Sequence, residues 1–150
     1  KNCFRTAFSA GCPATIGAGF KCYRFAKVNN PLSIEKVDYE YARELLDIGV
    51  DLGHHDILWI KANGHKYGSS QLDLEKDEEL YHHYLNLAAE SGHVIAGVKS
   101  TILYFNEGDK DSAKKMIEMI KANRFYEREL HRNCKQPDKD EYRKINSILG

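Results

Sequence analysis

Residues 77–108 read DEELYHHYLNLAAESGHVIAGVKSTILYFNEG, and their hydrophobic pattern indicates two amphipathic helices in succession. In each helix the apolar side chains recur three and four positions apart, which places them on one face. The segment Ser91–His93 between them predicts a tight turn. Small residues before that turn let the two backbones approach closely, so the pattern predicts an antiparallel helix pair. This hairpin cannot bury its two apolar stripes by itself.

The same unit recurs 39 residues upstream, where Tyr41–His54 (YARELLDIGVDLGH) aligns with Leu80–His93 (LYHHYLNLAAESGH). In both copies the first helix ends in Gly-His, and a second helical pattern follows. A partial third copy of the first helix lies at Asp111–Ala122. Self-similarity with a period of about 35 to 40 residues is typical of helical solenoids.

Residues 84–108 resemble a Sel1-like repeat, in which an aromatic-rich helix ends in Ala-Ala-Glu-x-Gly-His and a helix of the Ala-x3-Leu-Gly-x2-Tyr-x2-Gly type follows. The matching positions are Ala88, Ala89, Glu90, Gly92, His93, Ala96 and Tyr104. Ser100 and Thr101 depart from the usual Leu-Gly, and Gly108 comes one place late. The resemblance extends weakly over residues 36–123. It implies an all-α fold, a short right-handed α-solenoid of antiparallel helix pairs related to tetratricopeptide repeats.

A chain of 150 residues predicts one domain, because that length buries enough surface for a self-sufficient core. We expect residues 1–32 to form an N-terminal arm with a short helix, residues 33–123 the helix pairs, and residues 124–150 a C-terminal capping region. The helices are predicted at Phe20–Val28, Ser33–Asp51, His54–Tyr67, Asp77–Glu90, Ser112–Ala122 and Asp138–Leu149, with Asn123–Arg132 prolonging the fifth or starting another.

The net charge is zero, but it is unevenly spread: +4 over residues 1–35, −7 over residues 36–92 and +3 over residues 93–150. An acidic middle repels phosphates, which argues against nucleic-acid binding there and favours a partner with a basic surface. The sequence holds no apolar run of about 18 residues, the length needed to cross a bilayer.

The four cysteines, Cys3, Cys12, Cys22 and Cys134, favour disulfides in an exported protein, because they show no metal-binding spacing. Three pairings are open, and if all four are paired, one bridge ties the N-terminal arm to Cys134. The chain begins without methionine, which is consistent with signal-peptide removal and a periplasmic or secreted location. The alternative is four free thiols in a cytosolic protein.

Sequence motifs for catalysis, cofactors or metals are not found in the chain. The histidine pairs at 54–55 and 82–83 are adjacent, so on a helix their rings point about 100° apart and do not suit a metal pair. The acidic residues Asp77, Glu78 and Glu79 leave an envelope hydrolase as an alternative. Acidic first turns are common, however, because they complement the helix dipole.

A partner-binding surface is predicted from the geometry that the resemblance implies, with one face of each hairpin lining a concave groove. The residues assigned to this groove are Asp56, Trp59, Ile60, Asn63, Lys66 and Tyr67 from one copy, and Ile95, Val98, Lys99, Ile102, Phe105 and Asn106 from the other. They include the only tryptophan, and their composition is typical of an interface core. The alternative is that the N-terminal arm or the C-terminal helix folds over these residues.

The sequence therefore favours a non-enzymatic protein-binding module that captures a protein partner in its groove. The resemblance implies adaptor roles, and the size and export signs extend this to an immunity protein that neutralises a secreted antibacterial toxin. The alternatives are the envelope hydrolase and a structural adaptor of an envelope complex.

Overall fold

The computed structural model describes residues 39–150. These residues form seven helices: α1 (Tyr39–Asp51), α2 (His55–Tyr67), α3 (Glu78–Glu90), α4 (Val94–Asn106), α5 (Lys110–Lys121), α6 (Tyr126–Arg132) and α7 (Gln136–Leu149). The only β pairing in this part of the chain is one isolated antiparallel bridge between Ser69 and Leu74. The all-α prediction is confirmed for the described residues.

The chain divides into two compact units, Lys1–Tyr81 and His82–Gly150, and the division falls within α3. The predicted N-terminal arm and the predicted helix at Phe20–Val28 lie outside the described residues. A single domain and a right-handed solenoid stay predictions.

In the first unit, α1 packs against α2 around a cluster formed by Leu45, Leu46 and Ile57, each at most 2% exposed. The two helices approach closely at Gly49, where an added Cβ would lie 2.6 Å from the Ile57 side chain. This glycine occupies the position that Ala88 holds in the other copy, so the small residue predicted before the turn serves helix packing.

The segment after α2 folds back onto the same unit through His65, which is buried. Its Nδ1 lies 2.8 Å from the carbonyl oxygen of Glu75, and its own carbonyl accepts the backbone N–H of Asp77 at 2.9 Å. Leu72 and Leu74 thereby pack against the cluster of the hairpin. These two hydrogen bonds of His65 thus hold the loop after α2 against the core of the first unit.

The second unit is built around α4, which packs against α5, α6 and α7. Its polar core residues are satisfied locally, since Thr101 donates its hydroxyl to the Gly97 carbonyl at 2.8 Å and Ser100 donates its hydroxyl to the Asn86 side chain. Asn86 also donates to the Tyr104 hydroxyl at 2.7 Å. These bonds explain how serine and threonine can stand where the Sel1-like pattern has Leu-Gly, because buried hydroxyls are tolerated when they are bonded.

The two Gly-His turns have the same hydrogen-bond pattern. Gly53 and Gly92 each donate their backbone N–H to the carbonyl three residues back at 3.0 Å, and His54 and His93 each donate to the carbonyl five residues back at 2.9 Å. Both glycines have positive φ, 66° and 104°, which L side chains rarely adopt. The repeated glycine is therefore required by the backbone of each turn.

The C-terminal helices begin differently from the prediction. A carboxylate cap at Asp109 starts α5 two residues before the predicted Ser112, and it accepts the backbone N–H of Ser112 at 3.0 Å. The segment after α5 turns at Asn123 and forms the separate short helix α6. Pro137 lies inside the first turn of α7, a position that suits proline because the N–H it lacks has no helical partner there.

Candidate partner-binding surface

The predicted residues of α2 share one face of the helix. Asp56, Trp59, Ile60, Asn63, Lys66 and Tyr67 are spaced three or four apart, and each is at least partly exposed. Tyr67 is the most open of the large apolar side chains in the described part of the chain, at 72% exposure. We call these six residues the α2 face.

The orientation of the α2 face follows from what the rest of the helix buries. Ile57, Leu58, Ala62 and His65 point into the first unit. Ile60 contributes to both sides, since it is partly exposed and also packs against the hydrophobic cluster. The helix therefore presents aromatic and charged groups to solvent because its aliphatic stripe is held elsewhere.

Lys66 makes cation–π contacts with two tyrosine rings at one end of the α2 face. The Lys66 ammonium lies 5.2 Å from the centroid of the Tyr67 ring and 5.5 Å from that of Tyr81. Such contacts attract electrostatically through the ring quadrupole. They place the lysine alongside the exposed tyrosine, so this end offers an apolar surface with a positive charge beside it.

The predicted residues of α4 lie in a different environment. Ile95, Val98 and Ile102 are at most 9% exposed, and Lys99 forms an ion pair of 3.2 Å with Asp138 of α7. Because α7 packs along α4, these aliphatic side chains belong to the interior of the second unit. The arrangement matches the alternative in which the C-terminal helix covers this face.

Phe105 and Asn106, at the end of α4, are half-buried and exposed, respectively. A signal for the burial of α4 was present in the sequence. Lys99 is the only charged residue between Val94 and Asn106, and a helix that is apolar on nearly every side is usually buried.

Cys134 is a free, buried thiol, so the predicted bridge to this residue is not formed in the structure. Burial raises the pKa of the Cys134 thiol, and the nearby Asp138 carboxylate raises it further, which keeps the sulfur protonated and a weak nucleophile. The other three cysteines, Cys3, Cys12 and Cys22, lie outside the described residues.

The histidines and the acidic first turn have local roles. His93 caps α4 by accepting the Ala96 N–H at Nδ1, 3.1 Å away, and the rings of His54 and His55 stack at 5.1 Å. Over residues 39–150, no group of three or more His, Cys, Asp or Glu side chains is placed to hold a metal ion.

Asp77 accepts the Leu80 backbone N–H at 3.0 Å and so caps α3, while Glu78 and Glu79 lie exposed in its first turn. This is the placement that helix electrostatics favours. No helix in this part of the chain is both long and apolar enough to span a membrane.

Comparisons with protein families, with curated proteins and with solved structures give no match to this chain. The Sel1-like resemblance therefore rests on the residues quoted above. The equal hydrogen-bond pattern of the two Gly-His turns is the structural counterpart of the sequence repetition, and it concerns the turns alone.

Sequence reasoning did not pick out one exposed group on the second unit. Arg124 and Arg128 both lie over the Phe125 ring, with their guanidinium carbons 4.5 Å and 4.4 Å from its centroid. Arginines four residues apart at 124, 128 and 132 were visible in the sequence as a basic row, the signal that could have found it. The ring is 38% exposed.

Proposed function

We propose that this chain is a non-enzymatic protein-binding module and that the α2 face is its contact surface. The observation that carries the proposal is the pair of aromatic side chains on this face, with Trp59 partly exposed near the start of α2 and Tyr67 largely open at its end beside Lys66. Aromatic side chains of this kind supply most of the binding energy in protein interfaces, because they bury a large area at low entropic cost.

The charge of residues 39–81, the described part of the first unit, indicates the chemistry of the partner. Residues 39–81 carry ten acidic and four basic side chains, a net charge of −6. A surface of this sign attracts a basic partner and speeds its association, in a manner that salt weakens. We therefore expect a protein whose apolar patch covers Tyr67 and whose basic residues lie away from Lys66, the positive charge beside that ring.

A narrower proposal follows from the resemblance and from the even number of cysteines. In it the chain is an exported immunity protein, periplasmic or secreted, that neutralises an antibacterial toxin. Because Cys134 is a free thiol, a disulfide to this residue does not support the proposal of an exported protein. A structural adaptor role in an envelope complex would use the same surface, and the identity of the captured protein distinguishes the two.

The test is capture by the immobilised full chain from an extract of the source organism, followed by titration with the purified partner. Trp59→Ala and Tyr67→Ala should each weaken binding by about 2 kcal/mol, or about 30-fold, if they are central anchors. Ile148→Ala is the control, because it removes an exposed apolar side chain from the other unit, at a position outside the α2 face. Thermal melts followed by circular dichroism verify that each variant is folded.

Three outcomes would contradict the proposal. The first is equal affinity of the wild type and the Trp59→Ala/Tyr67→Ala double variant. The second is the same loss of affinity in the Ile148→Ala control. The third is an affinity that rises with ionic strength, since an acidic surface facing a basic partner should lose affinity as salt screens the attraction.

A further inference from the structure

A small pocket lies in the second unit, between the turn that follows α3 and the end of α5. It is a half-open depression with a volume of about 220 Å³. Its lining includes the apolar side chains of Val94, Met119 and Ile120 together with Glu90, Gly92, Ala122 and Asn123. Sites for drug-sized molecules usually measure about 300 to 1,000 Å³, so this pocket has the size for one side chain of a larger partner.

Asn123 connects the pocket to the arginine pair beside it. Its side-chain NH2 donates to the Gly92 carbonyl at 3.0 Å, and its side-chain oxygen accepts the backbone N–H of Phe125 at 2.9 Å. The side-chain amide of Asn123 thus holds both the pocket wall at Gly92 and the backbone of Phe125. Their relative position is set before any ligand arrives, which lowers the entropic cost of binding.

The arginine pair is concentrated positive charge. Since both guanidinium carbons lie within 4.5 Å of the Phe125 centroid, they are at most 8.9 Å from each other, the sum of their distances of 4.5 Å and 4.4 Å. Arg128 lies 3.5 Å from Glu129, whereas Arg124 has no ion pair with a carboxylate of residues 39–150. From Lys121 to Lys135 the chain carries five basic and two acidic residues.

We propose that the pocket and the arginine pair together bind an acidic peptide segment of a protein partner, with one apolar side chain in the pocket and flanking carboxylates on Arg124 and Arg128. Guanidinium groups bind carboxylates through paired, charge-assisted hydrogen bonds. The pocket favours a peptide over a nucleic acid, because single-stranded bases need an open aromatic face and the Phe125 ring is already faced by guanidinium groups.

This surface is independent of the α2 face, and its ligand has the opposite charge. Glu90, an exposed acidic residue, also lines the pocket. The acidic residues of the peptide are therefore expected beside the arginines, and the apolar side chain is the part that passes Glu90.

The test is a nuclear magnetic resonance titration of the ¹⁵N-labelled full chain with the capped synthetic peptide Asp-Glu-Leu-Asp-Glu. We expect the largest shifts at the amides of Gly92, Asn123 and Phe125. Two comparison peptides separate the contributions, one with glycine in place of leucine and one with asparagine and glutamine in place of the acids. Each should bind at least about tenfold more weakly than the parent peptide.

Two kinds of variant test the two halves of the site. Arg124→Gln/Arg128→Gln removes the charges, and Ala122→Trp fills the pocket from an exposed position of its lining. Both should weaken peptide binding at least about tenfold. The matched control is Lys114→Gln/Lys144→Gln, which removes the same charge from exposed positions elsewhere in the unit and should change the affinity little.

The proposal is overturned if the parent peptide causes no shifts at millimolar concentration, or if the arginine variant and the lysine control lose affinity equally. Vesicles of anionic phospholipid and a single-stranded oligonucleotide serve as competing probes. Tighter binding of either one than of the peptide, lost in the arginine variant, would assign the surface to a membrane or a nucleic acid instead.

Discussion

Gly97→Ala is the sharpest test of how the second unit is packed. Gly97 lies on α4, and a Cβ added there would be 2.1 Å from Cγ2 of Ile120 on α5. Ordinary contact begins at 3.4 Å, so the two helices or the isoleucine would have to move by 1.3 Å. Ile120 is 3% exposed and has little room to do so.

Two effects of opposite sign decide the magnitude. Alanine favours a helix interior over glycine by about 1 kcal/mol, while overpacking a buried contact costs typically about 1 to 3 kcal/mol. Because the gap is shorter than any tolerated contact, we take the upper end of that cost and expect a net loss of about 2 kcal/mol in the free energy of unfolding. Urea denaturation followed by far-ultraviolet circular dichroism measures this loss.

A double-mutant cycle identifies the cause. Ile120→Ala alone should cost about 2 to 5 kcal/mol, because it leaves a cavity. The double variant should lose at least about 1 kcal/mol less than the two single losses together, because the new methyl group then has space. Gly108→Ala is the control, since nothing lies within 4 Å of its added Cβ and only its positive φ of 86° resists the change. A stable Gly97→Ala variant, or strict additivity with Ile120→Ala, would refute this explanation.

Three further changes test hydrogen bonds in the same unit. Tyr142→Phe breaks the buried bond between the hydroxyls of Tyr126 and Tyr142, 2.9 Å apart, and should cost about 1 to 3 kcal/mol in urea unfolding, while replacing both tyrosines by phenylalanine should cost less. Burial raises the pKa of both phenols. The stability that they contribute is therefore fully present below the unfolded pKa of about 10 and is lost at higher pH. Thermal melts at alkaline pH should show a larger loss of stability for the wild type than for the double phenylalanine variant. The side-chain and backbone hydrogen bonds from Ser112 lower the pKa of Asp109. The stability that this carboxylate contributes is therefore present above its unfolded pKa of 3.8 and is lost as the pH falls through its lower folded pKa. Asp109→Ala should accordingly lower the Tm at neutral pH, and the difference from the wild type should shrink towards about pH 2; a constant difference would contradict the assignment. Asn86→Ala leaves the buried serine hydroxyl that bonds to it without that partner and should cost about 1 to 3 kcal/mol in urea unfolding, and the loss should be smaller where that serine is already alanine.

The turns were the most predictable part of this fold. Gly53 and Gly92 could be placed from the sequence because a tight helix end needs positive φ, and few residues other than glycine supply it. The helix that follows Gly53 was also predicted to within a residue, at His55–Tyr67, whereas the one that follows Gly92, Val94–Asn106, ends two residues before the predicted Gly108. Local backbone chemistry determines these features, so one sequence is enough to reveal them.

Tertiary contacts account for what the sequence did not show. The aliphatic side chains of α4 satisfy the spacing of a groove lining and of a buried helix equally well, and only the packing of α5, α6 and α7 around α4 decides between them. The separate helix α6 depends on a turn at Asn123, whose side chain bonds to Gly92 far away in the sequence. The residues of the α2 face could be grouped on one side of the helix from their spacing, but their exposure required the structure.

The cap of α4 fixes where one hydrogen atom resides. His93 accepts the Ala96 N–H at Nδ1, and a nitrogen that accepts a hydrogen bond must keep its lone pair. The imidazole is therefore the neutral tautomer with its hydrogen on Nε2. In the second unit, the start of the central helix is thus held by a ring whose other nitrogen keeps a hydrogen to donate.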